Sequence, residues 1–148
     1  ENLPYDQPAE KKNGMISKAG EKTEHYHMVA RIDRELSVLG DLLMGRESRA
    51  VFHLGQVPDG KVNYWNGSYG DVVSMQAESV TAGFFEGGYL LLANKDYEKD
   101  AVATFTTVPG KRVMHFDKLN GLWEELAAAD GGYKLAMAPG DGELIRID

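Results

Sequence analysis

The sequence contains no cysteine. That absence excludes a disulfide framework, a thiolate zinc site and a cysteine nucleophile, although it does not fix a compartment. No block of Lys and Arg stands out either. The 16 basic residues are outnumbered by 23 acidic ones, for a formal net charge of −7. An acidic chain without a basic stripe argues against nucleic acid and against an anionic membrane surface as partners. No apolar run approaches the roughly 20 residues that span a bilayer. The start, Glu1-Asn2-Leu3-Pro4-Tyr5-Asp6, has neither a Met nor an apolar signal core and reads as the interior of a gene product. No glycine-rich phosphate loop follows a strand and opens a helix, and no serine sits in a nucleophile-elbow context. No cofactor is expected.

The periodicities that are present divide the chain in three. Residues 1–22 are polar and predict a loose, extended segment, with Met15-Ile16 as its one docking point. Residues 23–45 predict a long helix. Met28, Ile32, Leu36, Leu39 and Leu43 recur at steps of four, four, three and four, which places them on one helical face. Val29, Val38 and Leu42 widen the stripe. Thr23 suits the N-cap, Glu24 suits the positive end of the helix dipole, and Gly45 suits the stop. Gly40, inside the pattern, implies close packing or a bend, since it costs about 1 kcal/mol relative to Ala. An isolated helix of this length is marginal in water, so it needs a partner.

Residues 46–148 predict a β-sandwich. Short apolar or alternating runs (Val51–Leu54, Val72–Met75, Ala82–Phe85, Tyr89–Ala93, Ala101–Thr106, Val113–Phe116, Tyr133–Met137, Leu144–Ile147) are separated by turn chemistry such as Pro58-Asp59-Gly60, Pro109-Gly110, Asn120-Gly121 and Asp130-Gly131-Gly132. Seven or eight strands at that spacing give a mainly β, antiparallel sandwich preceded by one amphipathic helix. Most of the 17 glycines fall in the turns.

Two stretches resemble a known family. Asn13 to Tyr26, running into Ile32-Asp33-Arg34-Glu35-Leu36-Ser37-Val38-Leu39-Gly40, is similar to the end of a β-galactosidase-like (β/α)8-barrel glycoside hydrolase, where a loop after the last strand leads into a final helix. Leu91-Leu92-Ala93-Asn94-Lys95-Asp96, Phe116-Asp117-Lys118-Leu119-Asn120-Gly121 and Gly132-Tyr133-Lys134-Leu135-Ala136-Met137-Ala138-Pro139-Gly140-Asp141-Gly142 are similar to the small β-sandwich that follows such barrels. The resemblance implies a non-catalytic C-terminal domain that supports a barrel located upstream, in an extracellular or periplasmic protein. It implies no catalytic residue in this chain, because the family's two carboxylates sit on barrel strands ahead of it. The implied partner is that barrel, or a second copy of the chain meeting it through the helix. Residues 55–71 have no counterpart in the resemblance.

Read for chemistry, the residues yield few constellations. Glu124-Glu125 is the one adjacent carboxylate pair, but neighbouring strand residues point to opposite faces and cannot flank one glycosidic bond. It is expected on a solvated edge strand. His25 and His27 are spaced i, i+2 on a helix, which separates their rings. His53 and His115 lie in separate apolar runs that could meet in the fold. Asn94, Asp96, Glu98 and Asp100 alternate like calcium ligands, yet the loop lacks the glycine and the final glutamate of an EF-hand and is expected to be a polar hairpin connection. Residues 63–71 (Asn63-Tyr64-Trp65-Asn66-Gly67-Ser68-Tyr69-Gly70-Asp71) have the composition of a sugar-binding loop. Tyr64, Trp65 and Tyr69 offer rings for an oligosaccharide, with Asn66 and Asp71 for its hydroxyls. The competing reading folds Tyr64 and Trp65 back to plug one end of the sandwich, with Asn66-Gly67 as the turn. Trp123 suits either part, and the core more than the sugar contact.

Overall fold

The computed structural model describes residues 14–57 and 60–148, so residues 1–13 and the Pro58-Asp59 part of one expected turn lie outside the described residues. The chain divides into two compact units, Glu1–Leu42 and Leu43–Asp148.

In the first unit, residues 14–22 are not extended. Ile16 and Lys22 pair across a tight turn closed by Ser17 N–H to Glu21 O (2.8 Å) and Gly20 N–H to Ser17 O (3.0 Å). Gly20, at φ 82°, lets the chain reverse there. Helix α1 spans Glu24–Leu43. The Thr23 hydroxyl accepts from Tyr26 N–H (3.4 Å), the N-cap arrangement, and also donates to Gly14 O (2.6 Å). Gly45, at φ 84°, follows the last turn and Arg46 N–H returns to Leu43 O (3.0 Å). No residue of α1 is buried. A Cβ placed on Gly40 would meet nothing, so close packing does not explain that glycine.

The second unit is an antiparallel β-sandwich of nine strands: β1 (Ser48–Gly55), β2 (Val72–Gln76), β3 (Ser79–Phe85), β4 (Tyr89–Asn94), β5 (Ala101–Thr107), β6 (Val113–Asp117), β7 (Leu122–Glu125), β8 (Tyr133–Met137) and β9 (Gly142–Ile147). The count exceeds the expected seven or eight because Leu122–Glu125, too short and charged to show a periodicity, pairs with β6. One sheet runs β1-β3-β4-β9-β6-β7 and the other β2-β5-β8. Burial follows the period of two: in β5, Ala101, Ala103 and Phe105 are buried while Val102 and Thr104 are exposed.

The core lies between the sheets. Leu54, Val80, Ala82, Phe84, Leu90, Leu92, Val113, Ile145 and Ile147 come from the larger sheet, and Val72, Met75, Ala103, Phe105, Leu135 and Met137 come mainly from the smaller one. Leu90, Leu92 and Ile145 have no exposed surface, and each such side chain contributes about 1.5–3 kcal/mol. The central strand β4 is covered on both faces, as its solid apolar run predicts. Tyr89, on the face away from the core, is buried beside Trp123, their rings edge to face at 5.8 Å, and the Arg46 guanidinium lies 3.8 Å from its centroid. Trp123 thus belongs to this second apolar face rather than to the core between the sheets. At the β1–β3 junction a Cβ on Gly55 would fall 1.6 Å from Glu78 O, so only glycine fits.

Candidate functional site

The 63–71 loop leaves β1 and returns along its edge. His53 N–H donates to Asn63 O (2.8 Å) and Trp65 N–H donates to His53 O (3.0 Å), a short parallel pairing of the loop with β1. This backbone track fixes where each ring goes. Trp65 turns inward, stacked on Phe84 (6.0 Å, 11°) and edge-on to Phe52 (5.5 Å, 90°). Tyr69 tilts onto the same two rings at 4.8 and 5.3 Å. Tyr64 is left 59% exposed. The chain bends between them at Gly67, which sits at φ 127°. The three rings therefore form no single exposed platform: two pack on the core and one faces solvent. Tyr69 and Val72 exchange both backbone hydrogen bonds (2.9 and 3.0 Å) around Gly70-Asp71, and the Asp71 carboxylate meets Lys111 Nζ at 3.0 Å.

The other candidates are separated by the topology. Glu124 faces His115 and Glu125 faces Met114 across the β6–β7 ladder, so the adjacent carboxylates point to opposite faces of an edge strand. His25 and His27 are exposed on α1. His53 and His115 do not meet: β3, β4 and β9 lie between their strands, about 19 Å at the usual strand spacing of roughly 4.8 Å. His53 Nδ1 instead contacts Thr81 Oγ1 (3.3 Å). The 94–100 segment is not a hairpin connection, because β4 and β5 belong to different sheets. Buried Asn94 pins this crossover, donating to Lys99 O (2.8 Å) and Ala138 O (2.9 Å) and accepting from Asp96 N–H (2.9 Å). Asp96 Oδ1 accepts from Glu98 N–H (2.9 Å) and Lys99 N–H (3.1 Å), so one oxygen each of Asn94 and Asp96 is engaged in holding the loop. Among the described residues no group of three His, Asp or Glu is placed to hold a metal ion, and no helix is long and apolar enough to cross a membrane.

One cluster has no sequence signature. His115 Nε2 lies 2.7 Å from Glu143 Oε2, while Lys118 Nζ contacts Glu143 Oε1 (3.2 Å), Asp141 Oδ1 (2.5 Å) and Gly142 O (2.8 Å). Burial works against the Lys118 charge, but the Asp141 and Glu143 carboxylates outweigh it and hold the pKa above the usual lysine value. The ammonium is thus neither a free base nor a nucleophile, and both carboxylates are committed to it. His115 and Lys118 lie more than 20 residues from Asp141 and Glu143 in the chain, and the β6–β9 pairing brings the two groups together. No family model, curated protein or solved structure matches the chain.

Proposed function

We propose that this chain is the closing part of a glycoside-hydrolase-like protein, a final helix and a non-catalytic C-terminal β-sandwich that support a catalytic barrel carried upstream. The observation that supports this reading is the contrast between the two units. The sandwich has a complete core of its own, with no buried side-chain polar atom left unpartnered among the described residues. Helix α1 has no fully buried residue and leaves Met28 52%, Ile32 48% and Leu36 60% exposed. An apolar stripe of that length in water forfeits several kcal/mol and suits a helix that packs on a larger body. Of the carboxylate pairs described above, Glu124 and Glu125 diverge, and Asp141 and Glu143 are neutralised by Lys118.

The test is to express the polypeptide encoded ahead of Glu1 with and without residues 14–148. If the reading holds, the upstream part carries the glycosidase activity, loses thermal stability without this chain, and keeps its catalytic carboxylates. An upstream sequence with no barrel, or activity on aryl glycosides in this chain alone that one Asp or Glu substitution abolishes, would refute it. The same exposed stripe fits a subunit-assembly role. Concentration-dependent dimerisation of this chain, abolished by Leu36→Asp, would favour that alternative.

A further inference from the structure

The Gly70-Asp71 turn and the Gly87-Gly88 turn leave between them a cleft of about 190 Å3 in the sandwich unit. At roughly 30 Å3 per water, that is about six water volumes, room for one six-membered ring with its substituents and not for a chain of them. Tyr69, half-buried, gives it aromatic surface, Phe84 and Tyr89, each only 7% exposed, border it, and Arg49 and Asp71 bring charges of opposite sign to it.

The two charged groups are fixed from outside the cleft. Arg49 is held by Glu47 (3.1 Å) and Glu86 (3.6 Å), and Asp71 by Lys111 (3.0 Å), while their side chains remain 45% and 40% exposed. Groups held in this way need little further ordering to receive a ligand. An anion would meet the Asp71 carboxylate and a cation the Arg49 guanidinium. A neutral polyol satisfies both, because each hydroxyl accepts from the guanidinium or donates to the carboxylate, and its C–H face suits the half-buried Tyr69 ring.

We infer that this cleft binds the ring of a single neutral pyranose. The inference is independent of any upstream barrel. It keeps Tyr69 and Asp71 from the aromatic loop and leaves out Tyr64, Trp65 and Asn66, which do not line the cleft.

The experiment is an amide chemical-shift titration of the whole chain, labelled with nitrogen-15. Methyl β-glucopyranoside, methyl β-galactopyranoside and methyl α-mannopyranoside serve as probes, with glucuronate, glucosamine and benzyl alcohol as controls. At least one glycoside is expected to shift amides at residues 69–72 and 86–90, with millimolar affinity. Arg49→Gln and Asp71→Asn, both at half-exposed positions, are each expected to weaken binding about tenfold while leaving the remaining spectrum in place. Tyr64→Ala is expected to leave the affinity unchanged. The inference is overturned if none of the three glycosides produces those shifts. It is also overturned if the shifts cluster elsewhere, if either charged-site variant binds as well as the native chain, if a charged sugar binds more tightly than every neutral one, or if benzyl alcohol alone occupies the cleft.

Discussion

Lys118 has three oxygens around its ammonium, from Asp141, Glu143 and Gly142, and its side chain is only 9% exposed. Lys118→Met keeps the length of the stem but leaves two carboxylates without their cation. It is expected to cost about 2–3 kcal/mol in urea unfolding, more than an exposed ion pair would. Trp65 and Tyr64, adjacent in sequence, are expected to differ as sharply. Trp65→Ala removes a ring packed on Phe52 and Phe84 and should cost about 3 kcal/mol, whereas Tyr64→Ala should stay within about 0.5 kcal/mol. Equal effects in the same unfolding assay would show that the loop is not anchored by its tryptophan. Composition revealed that residues 63–71 are rich in rings, but not which ring turns inward. That choice is made by the pairing of Asn63 and Trp65 with His53, a contact between distant backbone groups that leaves no mark in the side chains.

Elements bounded by local chemistry were the most legible. The α1 limits follow from Thr23 and Gly45, and most strands follow from alternation closed by turn residues. Pairing was not legible: whether β5 joins β4 or β2 depends on which faces must be buried together, and the polar 94–100 segment suits a hairpin as well as a crossover. Strand β7 shows in the sequence only as a solvated edge at Glu124-Glu125, because its four residues carry too little pattern to count as a strand. On α1, Gly40 meets no neighbour, so Gly40→Ala is expected to raise helix stability by about 0.5–1 kcal/mol. Thr23→Ala should lower it by about 1 kcal/mol through loss of the cap. Thermal melts followed by far-ultraviolet circular dichroism would check both signs. A loss of stability in Gly40→Ala would mean that the helix is tightly covered at that point in the working protein.

For the sandwich as a whole, the perturbed groups set its response to pH. Asp117 is held below the usual carboxylate range by the Asn120 side chain and by the backbone N–H groups of Asn120 and Leu119, and Asp148 by Arg146. A depressed folded-state pKa adds stability above the unfolded value of about 3.9, and this is lost as pH falls through the depressed one. Lys118 has the opposite sign: its contribution is present below about 10.4 and is lost as pH rises through its raised pKa. Lys95, whose pKa burial lowers, works the other way and gains stability as pH rises. Urea midpoints measured against pH should therefore fall toward acid, while the alkaline fall from Lys118 is opposed by Lys95. Asp117→Asn should flatten the acid limb and Lys118→Met the alkaline limb.

The pairing of residues 63–65 with β1 also bears on solubility. A sheet that is open at both ends offers unpaired backbone groups as a template for another chain. In this protein the eight-residue β1 has part of its free edge occupied by its own loop, and the opposite edge is short and carries Glu124 and Glu125. The stretch from Asn63 to Trp65 thus acts as a guard against edge-to-edge growth of the larger sheet. Shortening that loop would leave the fold its core and remove its protection, and the first sign would be fibrils rather than unfolding.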